Sequence, residues 1–394
     1  MTANLVAFEN WIRGSFVEMN TTLENLYFEQ ENPAEVTGIG DYLKQSLVAE
    51  GKELIHALVN EGNTDEGFDA NFDLLGNVGF YMAACRRHDI TEPSRETRSP
   101  LVEASSLALQ LGASLGLTPR FATCHLTTHA MAIDGVPKRF THLPDEAIFL
   151  DYNTLAVFAY KRAAEAVVQT LPLGISHPVT PNLLDDAVSA LEDVAKWNKR
   201  LFDELDTDRF FHHVRPYYKP YRVGIHEYRG ANAGDFSGIN VLDLLLGLCD
   251  AADPSYSQLL VDKFLFMMPD DQTRLRDVMR RESLLDSILR SFESKRNQPW
   301  FKKLIEVYLR ACEAHGHAAA QHHDQLVKRF IEVPSAKLPK ENLKGITASG
   351  PPLPVLLRSL EKLKDQRVAA NRNDIPTRYA DLHKLRQFHN STSV

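Results

Sequence analysis

The stretch LIEVYLRACEAHGHAAAQHHDQLVKRFIEVP, residues 304–334, decides the fold prediction. Its apolar residues recur at helical spacing, so we predict a helix from about Trp300 to Val333. Residues three, four and seven positions from His323 share its face of that helix. They are Ala320, Ala319 and Gly316 before it, and Leu326, Val327 and Phe330 after it. One imidazole therefore projects from a stripe that is small on one side and apolar on the other.

Two interpretations of His323 remain open from this pattern. The small residues would let a flat haem approach the helix while one imidazole nitrogen binds its iron. Alternatively, His323 is a hydrogen-bonded core residue at a close helix–helix contact. A metal ion without a porphyrin is disfavoured, because the histidines here lack the three- or four-residue spacing that brings two rings to one ion. We expect the other three, His315, His317 and His322, to be solvated or capping residues.

The remaining periodic segments are also helical, which predicts an all-α protein without strands. Helices are predicted over about residues 5–27, 40–60, 68–87, 99–115, 145–171, 182–205, 239–250, 254–268, 270–292 and 353–368. Ser99 is the predicted N-cap of the helix that follows Pro100. The last five residues, 390–394, are polar and are expected to fray.

Size and charge limit the possible classes of protein. A chain of 394 residues with 44% hydrophobic residues suggests two domains. We place a small N-terminal helical domain at 1–120 and a larger helical domain at 121–394. The net charge of −8 argues against nucleic acid as a partner, and no apolar run is long enough for a membrane span. Four widely spaced cysteines and no visible signal peptide predict a cytoplasmic protein with reduced thiols.

An aromatic, proline-broken segment, residues 206–238, looks as though it lines a site. It contains FFHHVR, residues 210–215, in which Arg215 follows Phe210 and Phe211. An arginine beside stacked rings can clamp the carboxylate of an aromatic amino acid. An arginine packed over a phenylalanine pair gives the same pattern. The loop that begins at Ala231 and ends at Gly234 can cradle a carboxylate or merely turn the chain.

Several segments together resemble the indoleamine 2,3-dioxygenase superfamily of haem proteins. HHDQLVKRFIEVP (322–334) is similar to its proximal helix, and FFHHVR is similar to its distal motif. ANAGDFSGINVLDLLLG (231–247) and ASGPPLPVLLRSL (348–360) resemble its two loops. Within the superfamily, VGFYMAACRRH (78–88), HLPDEAIFLD (142–151) and VRPYYKPYRVG (214–224) resemble the monodechloroaminopyrrolnitrin synthase branch. The resemblance covers roughly residues 75–365, and its segments keep their order.

The resemblance implies an indoleamine 2,3-dioxygenase-like helical fold whose larger domain binds haem b. His323 matches the proximal iron ligand. The distal side is matched by Phe210, Phe211 and Arg215, with Asn153 as a distal polar residue. The loop positions beside haem and substrate are matched by Asn232, Ala233, Gly234, Ser349 and Gly350.

The activity implied is oxygenation of an indole or other aromatic amino acid by O2, in a protein whose assembly could be a homodimer. Three departures bear on that activity. Asn232 replaces the serine of the first loop's pattern, and Pro351 and Pro352 stiffen the second loop. Ala320 stands where the dioxygenases carry an arginine, which in those enzymes pairs with the aspartate matched here by Asp243. The alternatives are a haem-dependent hydroxylase or peroxide-using enzyme acting on a phenol, a haem or gas sensor, and a helical scaffold without haem.

Overall fold

The computed structural model describes residues 2–61, 67–336 and 353–392. Helices dominate these ranges, so the predicted all-α class is confirmed. The first helices are Ala3–Arg13 (α1), Ser15–Phe28 (α2), Asp41–Glu61 (α3), Gly67–Arg87 (α4), Val102–Leu115 (α5), Pro144–Val168 (α6), Thr170–Leu173 (α7), Thr180–Glu204 (α8) and Thr207–Arg209 (α9). They are followed by Gly238–Leu245 (α10), Pro254–Phe264 (α11), Pro269–Val278 (α12), Leu284–Lys295 (α13), Pro299–Gln321 (α14), Val333–Ala336 (α15), Leu353–Arg367 (α16) and Tyr379–Thr392 (α17).

Less regular helices connect several of these elements. Two segments are π-helices, Phe210–Val214 (π1) and His322–Glu332 (π2). Short 3₁₀ turns occur at Pro93–Arg95, Thr123–His125 and Arg215–Tyr218. A small antiparallel hairpin pairs Tyr221–Val223 (β1) with His226–Tyr228 (β2).

The structure corrects several predicted elements. The first predicted helix is two helices, because Gly14 adopts φ −111° and ψ −102° and its N–H bonds back to Asn10 and Trp11. Ser99 is not an N-cap: the helix begins at Val102 after Leu101. The predicted helix over 270–292 is divided between α12 and α13, and the Ser283 side chain caps α13.

Two further elements escaped the sequence analysis. The hairpin was missed because each of its strands is only three residues long, too short to show an alternating pattern. The helix α17 was also missed, although Leu382, Leu385 and Phe388 recur at helical spacing. Residues 390–392 continue this helix rather than fraying.

The contacts of the chain divide it into two units. Unit 1 contains Met1–Asp151, Glu204–Asp235 and Val333–Leu353, and unit 2 contains Tyr152–Asp203, Phe236–Glu332 and Pro354–Val394. Both units are discontinuous in sequence, and their border does not coincide with a single break near residue 120. The domains 1–120 and 121–394, as segments that fold on their own, stay a prediction.

Unit 1 has an aromatic core. The Phe140 ring lies 4.4 Å from the Tyr217 ring, 5.3 Å from Phe80 and 5.6 Å from Phe121. Helix α4 can approach this cluster closely because residue 79 is glycine. A Cβ at Gly79 would lie 2.3 Å from the backbone nitrogen of Phe121.

Unit 2 has an aliphatic core around α14. Helices α6, α8, α10, α13 and α17 all contribute buried side chains to it. Leu382 and Leu385 of α17 are 1% and 0% exposed. The face of α17 that carries these leucines is therefore part of the core.

Candidate functional site

The FFHHVR segment occupies π1 and the first residue of the 3₁₀ turn that follows it. π-Helices are rare in proteins, and those that occur are frequently found at functional sites. Phe210, Phe211 and Arg215 are all buried, with exposed fractions of 8%, 4% and 7%. The structure thus brings these three predicted residues together within unit 1.

Arg215 has the electrostatics of an anion-binding residue. Its guanidinium carbon lies 5.4 Å from the centre of the Phe211 ring. Its Nη1 is buried, and among the described residues nothing accepts a hydrogen bond from it. Burial lowers the pKa of Arg215 to about 10. A buried cation without a counter-charge is costly, and the cost falls when a ligand supplies a carboxylate.

The loop Asn232–Gly234 is held by its neighbours in unit 1. Asp235 accepts hydrogen bonds from the Asn232 backbone N–H at 2.9 Å and from Arg229 at 2.8 and 3.1 Å. The Thr123 hydroxyl donates to the Asn232 carbonyl at 2.7 Å. The backbone of the loop is therefore fixed independently of the side chain that stands in the serine position, residue 232.

His323 lies in unit 2, near the start of the 11-residue π2. It is 7% exposed, and its Nδ1 is buried without a hydrogen-bond partner among the described residues. No described residue bonds to its Nε2 either, so this nitrogen can accept a metal. A single neutral imidazole with an uncommitted nitrogen suits a haem iron, which takes its other in-plane ligands from the porphyrin.

His322 is the alternative ligand. Its ring is exposed and makes no hydrogen bond to the described residues. An exposed imidazole is largely neutral at pH 7 and is therefore also able to bind a metal.

The small residues before His323 have a role in packing. A Cβ at Gly316 would lie 3.1 Å from the Arg367 carbonyl oxygen and 3.2 Å from the Val368 Cα. Gly316 therefore allows the chain at the end of α16 to pass close to α14. The close packing that the helix–helix alternative expects occurs at Gly316, whereas the buried Nδ1 of His323 has no hydrogen-bond partner among the described residues.

Asp243 forms a buried network that the sequence analysis did not predict. Its carboxylate is 0% exposed, and Arg367 donates to both of its oxygens at 2.8 Å. His315 Nε2 lies 2.7 Å from Oδ1, and the Tyr256 hydroxyl donates to Oδ2 at 2.8 Å. Although burial raises it, the Arg367 charge and the hydrogen bonds of His315 and Arg367 bring the pKa of Asp243 well below its usual range.

This network bears on the departure at Ala320, the position where the dioxygenases carry an arginine that pairs with the matching aspartate. Asp243 does pair with an arginine, but the arginine is Arg367 of α16 instead of a residue of α14. No local pattern connects two residues 124 positions apart. His315 corrects a second expectation, because it is fully buried and bonded to Asp243 instead of being solvated or capping.

The remaining predicted residues are placed as follows. Asn153 is half-buried in α6 and belongs to unit 2. Ser349 and Gly350 lie outside the described residues, as do Pro351 and Pro352. No group of three or more metal-binding side chains occurs in the described ranges, and none of the helices searched there is long and apolar enough to cross a membrane.

One comparison with known proteins bears on these residues. A family model described as monodechloroaminopyrrolnitrin synthase PrnB matches residues 2–389 of the chain. The match extends beyond the segments that carry the resemblance and takes in both units.

Proposed function

Because the chain belongs to the monodechloroaminopyrrolnitrin synthase family, we propose that its substrate is a tryptophan-like amino acid with a free carboxylate. The members of this family are haem-dependent oxygenases of the indoleamine 2,3-dioxygenase-like superfamily, and they act on an aromatic substrate derived from an amino acid. Membership of an enzyme family sets aside the sensor and scaffold alternatives. We further propose that the oxidant is O2 and that the enzyme is cytoplasmic. The four cysteines are buried and form no disulfide bond, which supports the last point.

One observation carries the proposal for the substrate. Arg215 is a buried cation whose Nη1 lacks a partner among the described residues, and the Phe211 ring lies beside it. A carboxylate would supply the missing charge, and its two oxygens match the planar donors of a guanidinium. An aromatic side chain on the same ligand would be stacked or edge-packed by the phenylalanines.

We propose His323 as the residue that holds the haem, which we take to be haem b. The uncommitted Nε2 of a buried ring supports this assignment. Asn232, Ala233 and Gly234 are proposed to contact haem or substrate through a loop whose backbone is already fixed. Asn153, Ser349 and Gly350 keep the roles that the resemblance implies. When bound, the haem supplies the oxygen chemistry, and the side chains above orient the substrate and exclude water.

The test is a titration of the Soret band of the haem-loaded protein with L-tryptophan and with tryptamine, its decarboxylated analogue. Arg215→Lys keeps a positive charge but loses the planar pair of donors. A charge-assisted hydrogen bond contributes about 1.5–3 kcal/mol, so L-tryptophan should bind roughly ten- to a hundredfold more weakly. Tryptamine should bind the wild type and the variant about equally.

Arg98→Lys is the matched control, because Arg98 belongs to the same unit but is exposed. It should leave both affinities unchanged. If Arg215→Lys binds L-tryptophan as the wild type does, Arg215 is a packing residue. If no amino acid shifts the wild-type band, the proposed substrate class is wrong.

A further inference from the structure

A buried ion pair from the N-terminal helices holds the FFHHVR segment. Glu24 of α2 is 0% exposed and accepts hydrogen bonds from Arg87 of α4, Nε to Oε1 and Nη2 to Oε2, both at 2.7 Å. The same carboxylate lies 2.7 Å from Nδ1 of His213, and Arg87 Nη2 donates to the His212 carbonyl at 3.0 Å. Within π1, Glu24 therefore contacts His213 and Arg87 contacts His212.

A second contact joins α2 to the same segment. The Phe28 ring lies 5.1 Å from the His213 ring, and the Arg209 guanidinium lies over Phe28 at 4.7 Å. Glu24 and Phe28 are one helical turn apart, so they present one face of α2 to π1. This face contacts His213 within the segment and Arg209, the residue that precedes it.

The chemistry of Glu24 makes the contact strong at ordinary pH. Burial raises the pKa of its carboxyl, but the Arg87 charge and the hydrogen bonds of His213 and Arg87 bring it down to about 2. Glu24 is therefore a carboxylate, and its charge is matched by Arg87. Removing one member would leave the other as a buried, unpaired charge.

The π conformation of π1 affects the direction of the Arg215 side chain that follows it. A π-helix closes i→i+5 instead of i→i+4 hydrogen bonds, and it is a rare form that is mostly confined to single turns. Conversion of π1 to the common α form would change which residues share a turn between Phe210 and Arg215. The guanidinium would then point in a different direction from the phenylalanine rings.

We propose that Glu24 and Arg87 are positioning residues for the oxygenase, which hold the FFHHVR segment as a π-helix and thereby aim Arg215 at the substrate. Neither residue is placed among the groups that touch the substrate or the haem. They act through His212 and His213, which they contact directly. The part of the proposal that concerns Arg215 rests on the proposed function, whereas the part that concerns π1 does not.

The first experiment measures amide hydrogen exchange in the haem-loaded, full-length protein without substrate. Glu24→Gln should speed exchange of residues 210–218 by about tenfold relative to the rest of unit 1, because the segment opens locally. The matched control is Asp73→Asn, which breaks another ion pair of unit 1, that of Asp73 with Lys138 at 2.6 Å. This control should leave the ratio of the exchange rate of residues 210–218 to that of the rest of unit 1 as it is in the wild type. Equal ratios in the two variants would refute the proposal.

A double variant, Glu24→Met with Arg87→Met, separates positioning from stability. Replacing both charges by apolar groups of similar size often restores stability that a single substitution loses. Residues 210–218 should still exchange about tenfold faster than in the wild type, since nothing holds the His212 carbonyl or His213. Wild-type protection in a stable double variant would equally overturn the proposal.

The second experiment is the Soret titration with L-tryptophan and tryptamine. The double variant should bind L-tryptophan about tenfold more weakly and tryptamine unchanged, as expected for a misplaced Arg215. If exchange rises while the affinity for L-tryptophan stays constant, the positioning of π1 stands and the carboxylate-binding role of Arg215 is wrong. The two failures are therefore distinguishable.

Discussion

Two adjacent histidines stand at the start of π2, and only one of them is proposed to hold the haem. We expect His323→Ala to lose most bound haem, or to regain it only with added imidazole. His322→Ala, the matched control, should retain haem and the wild-type Soret spectrum. The measurement is the haem-to-protein ratio after reconstitution. The reverse result would transfer the ligand role to His322.

His88 allows a second residue-scale prediction. Its Nδ1 lies 2.9 Å from the Tyr27 hydroxyl and its Nε2 lies 2.7 Å from Asn20 Oδ1, which suits a neutral ring. Burial lowers the pKa of His88 to about 3. Unfolding therefore takes up a proton below about pH 6.5, and stability should fall as the pH drops from there toward 3.

In the wild type, the free energy of unfolding should decrease as the pH is lowered. The variant His88→Gln should reduce the slope of this pH dependence by up to about 1.4 kcal/mol per pH unit near pH 5. The slope is measured by urea unfolding between pH 7 and 4.5. His142→Gln, at an exposed histidine, should leave the slope as it is in the wild type. An unchanged slope in His88→Gln would mean that the ring titrates alike in the folded and unfolded states.

At the scale of elements, the sequence predicted the long helices well and their breaks poorly. Helices such as α3 and α4 carry a regular apolar face and were predicted to within a few residues. The break at Gly14 depends on the local φ and ψ of one residue, and the arginine that pairs with Asp243 depends on a tertiary contact; periodicity records neither. Of the proposed site, FFHHVR and His323 were predictable from sequence and resemblance. The ion pair of Glu24 and Arg87 was not, because its members lie 63 residues apart.

The helix α17 yields the prediction at this scale. Leu385 is fully buried in unit 2. Leu385→Ala should therefore lower the free energy of unfolding by about 2–5 kcal/mol through lost burial and a cavity. Leu155→Ala, at a leucine of the same unit that is 39% exposed, is the control and should cost much less. Similar losses in both variants, measured by urea unfolding, would mean that α17 is not part of the core.

For the whole molecule, haem should act as a stabilising ligand. A ligand that binds the native state alone at a hundredfold excess over its Kd adds about 2.7 kcal/mol to the free energy of unfolding. The melting temperature of the haem-free protein should therefore rise with added haem, and His323→Ala should abolish most of this rise. A wild-type melting temperature that is indifferent to haem would contradict the cofactor assignment.

The pairing of Asp243 with Arg367 has a consequence for how the protein is made. A ribosome synthesises the aspartate and His315 well before it reaches the arginine, which follows the aspartate by 124 residues. Until α16 has left the ribosome, the nascent unit 2 carries a carboxylate whose main counter-charge does not yet exist. Unit 2 therefore cannot complete its buried network during translation of its earlier segments, and its final packing must wait until the segment that carries Arg367 has been synthesised.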